Sequence, residues 1–181
     1  LAGGDLGALD TILVGIVAFG TRPDLRAALP RLHAWVRAGG HLVTLYHRPW
    51  DGWDPAAVPL ARLEIGQPSI RWRVTDPAAP VRHLVPDHPL LTFPNPIEPE
   101  DWDGWQKERG LYLASGWDAA YTPLLAMADP GEAPLEGALL SGRFGAGRHT
   151  PPSLVLHTQA ERLVPGAFRL LANLVQPARG G

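Results

Sequence analysis

The chain contains no cysteine, which excludes disulfides, thiolate metal sites and any cysteine nucleophile. Lysine is nearly absent too: of the 16 Lys and Arg residues only Lys107 is lysine, a bias from which no function follows. The formal charge of −2 disfavours nucleic acid as a partner. No run of about twenty apolar residues exists, and no charged-then-apolar leader, so neither a membrane span nor a signal peptide is expected. An initiator Met is also missing. The Gly-rich start, close to the first apolar strand, reads as a segment of a longer protein.

What is present in quantity is glycine and proline, 20 of each among 181 residues, together with 45% apolar residues. That combination fits one domain over 1–181, with a substantial core and long, shaped connections. Thr11 to Phe19 is a continuous β-branched-rich apolar run and predicts a strand covered on both faces, hence a parallel sheet. Thr21 with Asp24 resembles a capping box that starts a helix over 23–38, with Pro23 tolerated in its first turn. Leu25, Leu29, Leu32, Trp35 and Val36 recur at helical spacing, and Pro30 should kink the element. Gly39-Gly40 stops it, and a second strand follows from His41 to Tyr46. The opening is therefore a βαβ unit.

Further on, alternation predicts a strand over 69–75, and the alternating prolines at 94, 96 and 99 force an extended loop. A short helix is expected over 101–109, with strands over 110–114 and 123–128. Residues 135–143 and 149–157 read as an antiparallel pair around Phe144-Gly145-Ala146-Gly147, a turn with too few glycines for a nucleotide fingerprint. Pro165-Gly166 opens a last helix whose stripe is Phe168, Leu170, Leu171, Leu174 and Val175.

Three stretches together resemble a known family. They are Val36 through Pro49, Pro86 through Tyr112 with Asn95 and Trp105 inside it, and Pro134 through Leu174 with Gly145 and Gly147. The chain is similar in these to the class I glutamine amidotransferase-like domain found C-terminal to bacterial PIG-L (LmbE-like) deacetylases, and more loosely to ThuA-like proteins. The resemblance implies a flavodoxin-like three-layer sandwich with a mostly parallel sheet and a C-terminal antiparallel hairpin. Such amidotransferases hold a cysteine on a tight strand-to-helix turn. Here Tyr46-His47-Arg48-Pro49 fills that place, without a thiol and with a proline that removes a backbone donor, so glutaminase activity is not expected.

In an open parallel sheet, ligands bind beyond the carboxyl ends of the strands. His47 is expected there, and His157, read as a strand end, is its candidate partner for acid–base work. Tyr46 and Arg48 flank His47 as ligand-binding candidates. The polar-aromatic segment, in which Trp102, Tyr112 and Tyr121 also fall, adds Trp105, Glu108, Arg109, Trp117 and Asp118, since sugar faces stack on rings while hydroxyls need fixed polar partners. The competing reading of that segment is a packed loop layer in which Glu108 and Arg109 pair. His83, Asp87 and His88 have a zinc-like spacing, but the prolines beside them favour a shaped turn, and neither metal nor cofactor is expected. Three functions remain: a non-catalytic accessory domain for interaction or glycan binding, beside a deacetylase domain of the same protein; a ThuA-like sugar-active enzyme using His47 and His157; and a structural domain whose tryptophans form an adhesive oligomerisation patch.

Overall fold

In the computed structural model, which describes residues 3–178, the opening apolar run divides into a strand and a helical turn. Strand β1 is Thr11–Val14 and helix α1 is Ala18–Thr21. Between them Val17 sits at φ 51°, a left-handed conformation that a β-branched residue adopts only under constraint. The constraint is visible: the Val17 N–H donates to the Tyr46 carbonyl (3.2 Å), which turns the chain out of the sheet. Ala18 and Phe19 are thus helical, not part of the strand.

The helix expected over 23–38 is two helices, α2 (Pro23–Ala27) and α3 (Leu29–Arg37). They part at Ala28, so Pro30 lies in the first turn of α3, where its missing N–H leaves nothing unpaired. Thr21 does not cap α2; its hydroxyl bonds back to the Ala18 carbonyl (3.4 Å), and Arg22 pairs with Asp24 (2.7 Å). Leu32, Trp35 and Val36 of α3 are buried as the periodicity predicts. Gly39, at φ 126°, ends α3 and leads into β2 (His41–Thr44). β1 and β2 pair in parallel, Thr11 with His41 through Val14 with Thr44, which is the expected βαβ arrangement.

The other strands are β3 (Leu63–Ile65), β4 (Val81–His83), β5 (Ala114–Trp117), β6 (Tyr121–Pro123), β7 (Leu125–Met127), β8 (Leu140–Phe144) and β9 (Gly147–Thr150). The other helices are α4 (Pro89–Thr92), α5 (Leu156–Glu161) and α6 (Pro165–Leu174). A five-stranded sheet has the order β1-β2-β9-β8-β6, parallel from β1 to β9 and antiparallel from β9 to β6. The sheet is therefore mixed. Pairs β3-β5 and β4-β7 form two small antiparallel ribbons.

The hairpin β8-β9 turns through Gly145 and Ala146. Its turn rests on the end of α3, where the Ala146 N–H satisfies the Arg37 carbonyl (3.0 Å) that the helix leaves open. Gly147 makes that approach possible, since a Cβ there would stand 1.9 Å from the Val36 carbonyl oxygen. Two apolar clusters flank the sheet. One joins Phe19, Leu25, Leu32 and Val36 to Leu42, Tyr121 and Leu140; the other joins Leu90, Trp102, Leu139, Leu154, Leu170 and Leu174. Adjacent Leu139 and Leu140 belong to different clusters, as the alternation of an extended chain requires.

Elsewhere the structure departs from the sequence reading. Residues 69–71 form a 3-10 turn instead of a strand, and a 3-10 turn at Pro99–Trp102 is all that forms of the helix expected over 101–109. The strand expected over 110–114 is shifted to β5, and the one over 123–128 is split between β6 and β7. After β9 the expected strand survives only as isolated bridges of Pro152 with Leu139 and of Leu154 with Gly110, and α5 begins at Leu156, so His157 lies in its first turn. No helix among the described residues is long and apolar enough to cross a membrane. The Gly-rich entry is described from Gly3 on, with Asp5 capping a 3-10 turn at Leu6–Ala8; residues 1 and 2 lie outside the described residues.

Candidate functional site

The carboxyl ends of β1 and β2 carry two layers of side chains. The lower is closed. His47 is only 2% exposed, and both of its ring nitrogens are engaged with backbone. Because the Leu45 carbonyl can only accept, Nδ1 carries the proton and donates to it (2.7 Å); Nε2 accepts the Phe19 N–H (3.1 Å). Burial lowers its proton affinity, and the ring lies between Phe19 (5.0 Å) and Trp53 (5.6 Å). This imidazole is neutral, fixed in one tautomer and fully satisfied. It pins the first turn of α1 to the exit of β2, and no nitrogen remains for acid–base work.

Asp51 completes this floor. Its carboxylate accepts the Arg48 N–H (2.8 Å) and the Arg48 guanidinium (2.7 Å). Burial acts to raise its pKa, but the Arg48 hydrogen bonds prevail and hold it below the usual carboxylate range.

Above the floor lies a rim drawn from three separated segments. Tyr46 stands 5.7 Å from the Tyr112 ring and 5.8 Å from His157, while Trp50 meets Tyr112 edge-on at 6.1 Å. The Arg48 guanidinium lies 5.5 Å from the Trp50 ring centre, a cation–π distance. Trp50 is 64% exposed, so the rim faces solvent. Burial raises the pKa of Tyr46, with Tyr112 and Glu108 adding to the effect, and burial also raises that of Glu108. A cavity of about 20 Å³ opens between the layers, against Tyr46, His47, Trp53, Tyr112 and Ser153.

Local backbone geometry shows how the rim is held. Lys107 (φ 64°) and Tyr112 (φ 55°) both adopt the left-handed region, unusual for such side chains. Hydrogen bonds on either side of Tyr112 fix it: Leu111 N–H to the Ser153 carbonyl (3.0 Å) and Leu113 N–H to the Trp72 carbonyl (2.9 Å). The loop before Glu108 is clamped by buried Gln159 of α5, whose amide both accepts from and donates to the Gln106 backbone (2.9 Å each). His157 shares that helix. Its Nδ1 is buried with no hydrogen-bond partner among the described residues, and Nε2 lies 3.5 Å from the Thr158 hydroxyl, a marginal contact.

Of the residues singled out in the sequence, Tyr46, Arg48, Glu108 and His157 thus meet at the rim, joined by Tyr112 and Trp50. Trp105 and Arg109 do not reach solvent. Arg109 lies over the Trp105 ring (5.4 Å) and donates to the carbonyls of Ala79 and Trp102; burial lowers its pKa to about 10. Its partners are backbone and rings, not Glu108 as the packed-layer reading had it. Trp117 pairs within the β3-β5 ribbon, and exposed Asp118 receives the Ala120 N–H (2.8 Å), with no contact to the rim. His88 caps α4 by accepting the Leu90 N–H (3.1 Å), and His83 Nε2 receives the Trp102 indole N–H (3.2 Å). No group of His, Asp and Glu suited to a metal ion occurs among the described residues. The adhesive tryptophan patch is also absent, because Trp50 alone of the chain's tryptophans is exposed.

Sequence reasoning placed Tyr112 in the polar-aromatic segment but missed Gln159 and Trp50. Gln159 is buried in α5 without a signal that sets it apart, and Trp50 meets its rim neighbour Tyr112 only through the fold.

No family model and no curated protein matches the chain. Its fold is similar to that of a cytoplasmic protein from Salmonella typhimurium, at 16% identity and a TM-score of 0.62, over 97% of this chain and 74% of that one. It is also similar to part of a cold-adapted β-galactosidase from Rahnella sp. R3, at 17% identity and a TM-score of 0.52, over 94% of this chain and 23% of that one. At these identities the likeness is one of fold alone.

Proposed function

We propose that this chain is an amidotransferase-like accessory module of flavodoxin-like architecture, without glutaminase activity, which binds a polyhydroxylated ligand on the rim at the carboxyl edge of its sheet. The observation that carries this reading is the rim of Tyr46, Trp50, Tyr112 and His157 rings with Arg48 beside Trp50, and with Glu108 near enough to act on Tyr46. Ring faces accept the C–H faces of a sugar, and the charged heads offer donors and an acceptor for its hydroxyls. Chemistry on glutamine has no support, since the chain has no thiol and the histidine at the nucleophile's place has no free nitrogen.

In this reading the module serves a sugar-related enzyme, a PIG-L-type deacetylase domain of the same protein being the partner that the sequence resemblance favours. The similarity to a segment of a β-galactosidase is a reason to include β-galactosides among the ligands tested, and nothing more. A second reading, a ThuA-like sugar-active enzyme, keeps one observation in its favour, the unpartnered buried Nδ1 of His157. Without His47, catalysis would depend on His157 with Glu108 or Tyr46.

An array of neutral and N-acetylated oligosaccharides, run alongside an ammonia-release assay with glutamine, tests the proposal. Saturable glycan binding with ammonia at background is the expected result. Robust ammonia release, or no glycan retained above background, contradicts it. Turnover of a bound glycan that His157→Ala abolishes would select the enzyme reading.

A further inference from the structure

The amino end of the same sheet holds a different chemistry. Arg148 stands near the start of β9, opposite His41 at the start of β2, so it lies at the edge away from the rim. It is 4% exposed, and its Nε is buried with no hydrogen-bond partner. None of the ion pairs among the described residues includes it. Among the described residues, the charged or titratable groups that act on this region are Arg143, His41 and His88, none of which is acidic. His41 is fully used, with Nδ1–H donating to the Gln176 carbonyl (2.6 Å) and Nε2 accepting the Thr150 hydroxyl (2.8 Å). His88 accepts the Leu90 N–H at Nδ1, so its proton sits on Nε2 as a further donor.

A guanidinium does not deprotonate in a protein, and a buried cation without a counter-charge is destabilising. The C-terminal end of α6, at the same wall, offsets about half a charge at most. Arg148 lines a cavity of about 40 Å³ with Pro89, Leu90, Phe93, Asn173 and Gln176. On the scale where one water needs roughly 10–15 Å³, this holds about three waters or an anionic group of a few atoms. Asn173 only shapes the wall, because its amide is committed to Leu90 and Asn95. Phe93, 61% exposed, supplies an apolar surface at the cavity for the rest of a ligand.

We infer that the Arg148 cavity is a binding site for a small oxyanion group, a carboxylate or a phosphate, held by the guanidinium fork. The fork geometry suits both groups, and each supplies the charge that the described residues do not. The site is independent of the rim and of the proposed glycan function.

Thermal unfolding of the full chain at constant ionic strength tests it, with chloride replaced in turn by inorganic phosphate and by acetate. At ten times the dissociation constant of the preferred anion, the midpoint is expected to rise by about 3–6 °C. A response to phosphate alone identifies a phosphate site, and a response to acetate alone a carboxylate site. Arg148→Met should lose the response and, freed of a buried charge, unfold in chloride no earlier than the wild type. An unchanged wild-type midpoint in both anions, or an undiminished shift in Arg148→Met, overturns the inference. Should Arg148→Met not fold, Arg148→Lys decides: a smaller anion shift than wild type supports the site, because lysine lacks the fork, and an equal shift refutes it.

Discussion

The floor residues His47 and Asp51 alternate in sequence with Tyr46, Arg48 and Trp50 of the rim, yet floor and rim differ in nearly every physical respect. In the floor, the side-chain polar atoms of His47 and Asp51 are all matched, the His47 ring lies between Phe19 and Trp53, and the Arg48 guanidinium holds the Asp51 carboxylate. In the rim, rings meet tilted or edge-on, burial raises the pKa of the Glu108 carboxyl and of the Tyr46 phenol, and the His157 Nδ1 has no partner among the described residues. Full satisfaction marks the floor as structural, because removing any partner leaves a buried polar group exposed to no compensating contact. Incomplete satisfaction at a solvent-facing rim is the property on which the binding proposal rests.

The largest effect expected from this contrast is at His47. His47→Ala strands the Phe19 N–H and opens a hole between two aromatic rings, and should cost about 2–4 kcal/mol in chemical unfolding. A cost below about 1 kcal/mol would place His47 with the rim. Acid should act next, through histidines buried in neutral form. Burial lowers His41 to about 4 and His149 to about 3, and burial with Arg148 and Arg143 lowers His88 to about 4, all from 6.5. Their folded values lie below the unfolded one, so their contribution is complete above about pH 6.5 and is lost as pH falls toward 3. The melting temperature should therefore drop steadily from pH 7 to pH 4, and His149→Gln should flatten that slope; a pH-independent midpoint contradicts the burial argument. Smallest is the expected cost of Trp50→Ala or His157→Ala, within about 0.5 kcal/mol, since neither ring holds the fold together. A loss of more than about 2 kcal/mol at either position would erase the distinction between the layers.

Much of the fold was legible because its signals are local. The β-branched run before Val14, the helical spacing of Leu32, Trp35 and Val36, the glycine stop at Gly39 and the Pro165 start of α6 each follow from short-range sterics or periodicity. The end of β1 was not legible, since Val17 leaves the strand under a hydrogen bond to Tyr46, which is distant in sequence. His157 was misplaced for a related reason: the chain stays extended after Thr150, bridged at Pro152 and Leu154, until the Val155 N–H bonds the distant Arg109 carbonyl and α5 begins. The site was half legible. Tyr46 and Arg48 follow from the strand end, whereas Tyr112 reaches them only through an unusual φ imposed by contacts from Ser153 and Trp72. Arg109 and Trp105 share the composition of a binding segment yet are core, a difference that only burial reveals.

The central claim is that the rim, and not the buried aromatic layer, takes a polyhydroxylated ligand. Indole N–H resonances test it directly, because the chain has seven tryptophans and only Trp50 is exposed at the rim. On titration with the oligosaccharide best retained on the array, the Trp50 indole signal is expected to shift in a saturable way while those of Trp102 and Trp105 stay fixed, and Trp50→Ala should weaken binding by roughly tenfold or more. Movement of the Trp102 and Trp105 signals with Trp50 unchanged, or full affinity in Trp50→Ala, would contradict the assignment.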